Sequence, residues 1–237
     1  MSVLPNAKTP ITRCELKSLY TQAMLGKFSD VAALNGLASK LADATNGLLA
    51  REQAYEQKVK ELIVIRVEVK FTDRLADQLV RLALKRAELE DGRPGGRIVT
   101  ALFPGGSTPI IKPVGGTQIK EMRALEGRYT EVAAIYPAGS AELDKITAVR
   151  YRYEQALEAR KLGVEATAQA RAARNLAKEE FLDVFAEVAN RIKAAFPRDK
   201  QTQDLFFLKD KTDDGLDAGD DEETEDNTSA GSAGSEG

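Results

Sequence analysis

The fold is decided by residues 30–91, DVAALNGLASKLADATNGLLAREQAYEQKVKELIVIRVEVKFTDRLADQLVRLALKRAELED, which contain no proline and are rich in strong helix formers. An apolar residue recurs here every seven positions. We call the first six of these residues the packing seam: Leu34, Leu41, Leu48, Tyr55, Leu62 and Val69. The companion heptad positions are interrupted by charged residues, namely Glu52, Arg66 and Asp73. One of the two heptad positions is apolar throughout and the other is interrupted by charged residues. This combination predicts a long helix packed in a bundle rather than an ideal two-stranded coiled coil.

Two features of this stretch leave alternatives open. Asn46-Gly47 is the one plausible point of reversal, but no capping residue follows it, so a continuous helix is favoured. Residues 66–71 alternate between charged and apolar side chains, which is the pattern of a short edge strand. Because the flanking sequence is helical for many residues and has no turn signal, we predict helix there as well.

Three further helices are predicted. The first covers about 13–25, with Thr12 as its cap, Glu15 at the capping-box position and an apolar face of Leu16, Leu19, Tyr20 and Ala23. The second covers about 118–135 and is capped by Thr117. The third covers about 140–196, begins at Ser140 and is kinked at Gly163. The predicted class is all-α, an elongated bundle in which the long helices 30–91 and 140–196 pack antiparallel.

The connector 92–117 is rich in glycine and proline, which argues against an ordinary helix there. Its apolar residues indicate an ordered segment laid over the helical core. The connector joins the predicted halves 1–91 and 118–209 of one helical body, 1–209. A loose similarity between residues 99–104 and 192–197 raises the alternative that the halves arose by duplication.

Composition excludes several kinds of site. The chain has no histidine, so zinc sites with histidine ligands and Ser-His-Asp or Cys-His nucleophiles are excluded. A single cysteine excludes an internal disulfide, and we expect Cys14 to be a buried small hydrophobe. We find no signal peptide and no membrane-spanning segment, and we expect a cytoplasmic protein without cofactor or metal.

The charge distribution is uneven. Residues 210–237 hold eleven acids and one base, a charge of −10, which leaves +7 on residues 1–209. With one large apolar residue, this acidic tail is expected to be disordered.

Three motifs suggest binding chemistry. Gly105-Gly106-Ser107-Thr108 is glycine-rich, but it lacks the lysine and the following helix of a phosphate-binding P-loop, so we interpret it as a turn. Glu179, Asp183 and Glu187 recur every four residues and are interpreted as solvated surface rather than metal ligands.

The third motif is a basic helical face. Its candidate residues are Arg160, Arg171, Arg174 and Lys178, with Arg150, Tyr151, Arg152 and Tyr153 upstream. Such a face can bind phosphates, and a tyrosine can stack on a base.

From these patterns we expect a non-enzymatic structural or adaptor protein, a scaffold that acts through helix–helix contacts with protein partners or with itself. The alternative is a protein that binds nucleic acid or an anionic surface through the basic face, modulated by the acidic tail.

Overall fold

A computed structural model describes residues 4–209, and the acidic tail 210–237 lies outside them. The described part contains seven α-helices and no β-strand, which confirms the predicted all-α class. The helices are α1 (Ile11–Lys27), α2 (Leu37–Glu90), α3 (Arg97–Leu102), α4 (Thr108–Ile111), α5 (Gly116–Glu131), α6 (Ser140–Ala195) and α7 (Lys200–Leu205). Short 3-10 turns cover Ala32–Leu34 and Pro137–Gly139.

Both long helices are continuous. Helix α2 passes through Gly47 without a turn, and residues 66–71 are helical, so the strand alternative is wrong. Helical structure begins close to the predicted residue 30, as a 3-10 turn over Ala32–Leu34, and the α-helix itself begins at Leu37. The chain forms tight turns after Phe28, and Gly36 takes a left-handed backbone angle (φ +79°) that delays the helix until Leu37.

The described chain forms two compact units. The first comprises residues 4–39 and 185–209, and the second comprises residues 40–184. Each unit draws residues from both predicted halves, 1–91 and 118–209, because both long helices contribute to both units.

In the second unit, α2 and α6 pack antiparallel, as predicted. Their contacts fall in reverse order: Glu142, Arg152, Thr167 and Arg174 of α6 meet Arg86, Glu68, Lys58 and Glu52 of α2. The helices come close at Gly163. A Cβ atom added there would lie 3.1 Å from Ile65 Cδ1 and 3.2 Å from Leu62 Cδ1. The missing side chain at Gly163 therefore allows the two helices to approach closely.

The connector is more helical than predicted, because it contains α3 and α4. The carboxylate of Asp91 accepts hydrogen bonds from the backbone N–H groups of Ile98 (3.1 Å) and Val99 (2.8 Å) and so caps α3. Ile98 and Val99 are buried in the core of the second unit. The capping residue precedes the helix by six positions, so the sequence next to α3 carries no N-cap signal.

The remaining helix of this unit, α5, runs from Gly116 to Glu131 rather than from 118 to 135. Thr117 is not its cap. The cap position is Gly115, which has a left-handed φ of 64° and makes no side-chain capping bond.

In the first unit, the predicted apolar face of α1 is wrong. Leu16 and Leu19 are both about half exposed, whereas Cys14, Ser18 and Thr21 are fully buried. The segment after α7 contacts this buried face at Thr21. It is held by Thr21, whose hydroxyl donates to the carbonyl of Phe206 (2.8 Å).

Aromatic contacts complete the core of the first unit. The Phe206 ring lies 4.8 Å from that of Phe28 and 5.8 Å from that of Phe196, measured between ring centroids.

The predicted cap of α1 is also wrong: the helix begins at Ile11, with Pro10 at the cap position and no side-chain capping bond.

Candidate functional site

The packing seam lies mostly in the interior. Leu34, Leu41, Leu48 and Leu62 are buried, whereas Tyr55 and Val69 are half-buried. The same heptad continues with Ala76 and Ala83, which are fully buried in the core of the second unit. Burial of one leucine side chain stabilises a fold by about 1.5–3 kcal/mol. The buried leucines and alanines of this heptad are therefore part of the fold and are not available to a partner.

The residues of the predicted basic face do not form one continuous basic surface in the structure. The guanidinium of Arg174 lies 4.4 Å from the ring centroid of Tyr55, and its Nε is 3.6 Å from Glu52 Oε2. This side chain therefore packs across the α2–α6 contact. Lys178 is half-buried and already interacts with another group of the chain. Arg160 and Arg171 are exposed, eleven residues apart on α6.

The upstream residues of that face are engaged with acids of the same unit. Arg150 Nε donates to Glu126 (2.7 Å), and Arg152 Nε donates to Glu68 (2.7 Å). Arg152 also lies over the ring of Phe71, 5.2 Å from its centroid. Tyr151 is exposed. These arginines hold the helices together and leave little positive charge for a ligand.

Arg160 instead takes part in a cleft between α2 and α6. The cleft has a volume of about 390 Å³ and is lined on one side by Arg66 and Lys70 of α2 and by Arg160 of α6. We call it the basic cleft. All three side chains are exposed, and within residues 4–209 none of them forms an ion pair. Sequence reasoning identified Arg160 but missed its two neighbours from α2.

The inner wall of the basic cleft is built around Tyr153. This tyrosine is buried; its hydroxyl donates to Asp73 Oδ1 (2.9 Å) and accepts a hydrogen bond from the backbone N–H of Gly115 (2.9 Å). Burial and the neighbouring Asp73 carboxylate raise the pKa of Tyr153 to about 12. Tyr153 therefore ties α6 to α2 and to the start of α5, and it is not available to stack on a base.

A second surface feature is an exposed apolar stripe on α2. Ile63, Val67 and Phe71 recur every four residues and are 53%, 64% and 53% exposed. Val64 lies beside them and is also exposed. Exposed Lys60 precedes Ile63 by three positions, and exposed Arg74 follows Phe71 by three. We call this surface the α2 outer face, defined by Lys60, Ile63, Val64, Val67, Phe71 and Arg74.

Helix α6 carries a face with the same spacing and the opposite charge. Ala168, Ala172 and Leu176 recur every four residues and are exposed. Exposed Glu165 precedes them by three positions and exposed Glu179 follows by three. We call these five residues the α6 outer face. Each outer face thus has an apolar strip between two like charges fourteen residues apart, about 21 Å along a helix.

The other candidate motifs show no binding geometry. Glu179, Asp183 and Glu187 lie along one helix, and no cluster of three or more acidic or cysteine side chains within residues 4–209 is placed to hold a metal ion. Gly105-Gly106-Ser107-Thr108 lies between the short helices α3 and α4, as a turn. Cys14 is buried, as predicted.

Comparison with protein-family models, curated proteins and solved structures gives no match to this chain. Among the helices of residues 4–209, none has both the length and the apolar composition that crossing a membrane requires.

Proposed function

We propose that this chain is a non-enzymatic structural or adaptor protein that works through helix–helix contacts and associates with further copies of itself. In this proposal, the α2 outer face of one copy packs against the α6 outer face of a second copy. The observation that supports it is the matched pair of faces: equal spacing, opposite charge, and apolar side chains that one chain leaves in water.

The sizes of the apolar side chains also match. The α2 outer face presents valine, isoleucine and phenylalanine, whereas the α6 outer face presents two alanines and one leucine. Large side chains that meet small ones let two helices approach closely and interdigitate. Contiguous exposed apolar surface is itself typical of interaction sites.

Charge decides between possible arrangements of two copies. If two α2 outer faces met, the basic ends Lys60 and Arg74 of both copies would lie together, and like charges repel. Contact between unlike faces instead brings each base close to an acid, Glu165 or Glu179. Such a contact is heterologous, so every added copy offers a further free face and assembly continues until it closes into a ring or extends as a filament.

The test is sedimentation of the full chain over a range of protein concentrations. Wild type is expected to associate as concentration rises. Val64→Asp combined with Val67→Asp should abolish this, because two charges would then lie in the apolar contact. Leu89→Asp is the matched control, since Leu89 is on the same helix, is 80% exposed and lies outside the face.

Circular dichroism should show equal helix content in all three proteins. The proposal fails if wild type stays monomeric at high concentration, or if Leu89→Asp disrupts association as much as the double variant does.

A further inference from the structure

We propose that the basic cleft binds a phosphate-bearing small molecule through Arg66, Lys70 and Arg160. This inference concerns a different surface from the self-association proposed above, and either can hold without the other. The cleft combines basic side chains that form no ion pair within residues 4–209, a cavity of ligand size and a hydrogen-bonded inner wall.

Within residues 4–209, the basic side chains of the cleft outnumber the acidic ones that line it. Three basic side chains from two helices line it, against one carboxylate, that of Asp73. That carboxylate already accepts the hydroxyl of Tyr153. Arg150 and Arg152 on the same helix, by contrast, each reach an acid with their guanidinium groups. Two positive charges in excess match a phosphate dianion, which arginine and lysine bind by charge-assisted hydrogen bonds.

The cavity has room for more than the phosphate. Its volume of about 390 Å³ lies in the range of small-molecule sites, roughly 300–1,000 Å³. Val69, Val114 and Leu157 form an apolar part of the lining. A phosphate ester therefore fits better than a bare ion, because its organic part has apolar wall to cover.

The inner wall keeps the cleft in shape without a ligand. The hydrogen bonds from Gly115 to Tyr153 and from Tyr153 to Asp73 join three segments of the chain there. Helix α5 begins directly after Gly115 and has no acidic residue in its first turn. Because Asp77 accepts a hydrogen bond from Gln118 in this first turn (2.8 Å), we ascribe the positive field of the cleft to its basic side chains and not to the helix dipole.

The test uses calorimetric titration of the full chain with inorganic pyrophosphate at low salt, followed by the same titration of single variants. Pyrophosphate presents phosphate oxygens like those of a phosphate ester and carries more than the two negative charges that the cleft is inferred to match. Arg160→Gln and Lys70→Gln should each weaken binding about tenfold or more, since each removes a hydrogen bond to a charged group.

The matched control is Arg171→Gln, which removes an equally exposed arginine from the same helix three turns beyond Arg160. It should leave the affinity for pyrophosphate within about twofold of wild type.

Three results would overturn the inference. The first is a wild-type chain that does not bind pyrophosphate at low salt. The second is equal weakening of pyrophosphate binding by all three variants, which would mean attraction to surface charge in general. The third is a single-stranded oligonucleotide that binds more tightly than pyrophosphate and loses affinity in Arg171→Gln. This result would place the anion site on the basic helical face of α6 and not in the basic cleft.

Discussion

At the scale of single residues, the polar interruptions of the second heptad of α2 explain the structure between the long helices. Glu52 meets Arg174, and Asp73 accepts the hydroxyl of Tyr153. Arg66 lines the basic cleft. In the sequence, these residues are visible only as charged interruptions of the second apolar heptad position. Each lies where α2 faces α6, and two of the three, Glu52 and Asp73, have a polar partner across the helix pair.

Tyr153 gives a prediction about pH. Its pKa is about 12 in the folded chain, whereas an exposed tyrosine has a pKa of 10.0. The folded state therefore keeps the proton that the unfolded state loses, so the stabilisation is complete below pH 10 and is lost as pH rises towards 12. Tyr153→Phe should make the fall in the free energy of unfolding between pH 10 and 12 less steep.

Chemical denaturation at several pH values measures this slope, with Tyr151→Phe as the exposed control on the same helix. At neutral pH, Tyr153→Phe should also cost about 1–2 kcal/mol, because Asp73 and the N–H of Gly115 lose their partner. Equal slopes for Tyr153→Phe and wild type would show that the hydroxyl is not held as described.

At the scale of elements, the two long helices were predictable because their proline-free stretches and apolar periodicity agree. The exceptions have local causes. The start of α2 depends on turns after Phe28, and α3 depends on a cap from Asp91, a distant residue in sequence. The buried face of α1 carries small side chains and contacts the distant segment at Phe206 through Thr21. None of these contacts leaves a periodic pattern.

Two glycines inside the long helices give a prediction about packing. Gly47 is exposed and has open space around it, so Gly47→Leu should stabilise the helix by about 0.5–1 kcal/mol. Gly163→Leu gains the same helix propensity but must displace the methyl groups of Ile65 and Leu62. The expected net effect is destabilisation by about 1–3 kcal/mol, since overpacking outweighs propensity.

Thermal or urea unfolding of both variants measures these two changes in the free energy of unfolding. The close contact of α2 and α6 at Gly163 is contradicted if the two substitutions change the free energy of unfolding by similar amounts.

At the scale of the whole molecule, the candidate surfaces depend on how helices are placed, and the sequence alone does not fix that. Arg160 was recognised as a candidate anion ligand, but its neighbours in the basic cleft come from the antiparallel register of α2 and α6. The outer faces were missed for a different reason. The alternation of residues 66–71 drew attention to a strand, although Ile63, Val67 and Phe71 already had helical spacing.

The acidic tail carries a charge of −10 and lies outside the described residues, so its predicted disorder stays a prediction. Its influence on either surface is electrostatic in origin and should weaken with ionic strength, as the Debye length falls to about 8 Å at 0.15 M salt.

The central claim is that the α2 outer face of one copy contacts the α6 outer face of another, and a charge exchange tests it directly. One variant combines Lys60→Glu with Arg74→Glu, and the other combines Glu165→Lys with Glu179→Lys. Each variant alone has two faces of like charge and should self-associate at least tenfold more weakly than wild type, which corresponds to about 1.4 kcal/mol.

An equimolar mixture of the two variants restores unlike faces at every contact. Sedimentation velocity of this mixture is predicted to show assembly at concentrations where each variant alone is monomeric. If the mixture stays as dissociated as its components, or if either variant alone assembles like wild type, the two faces do not meet.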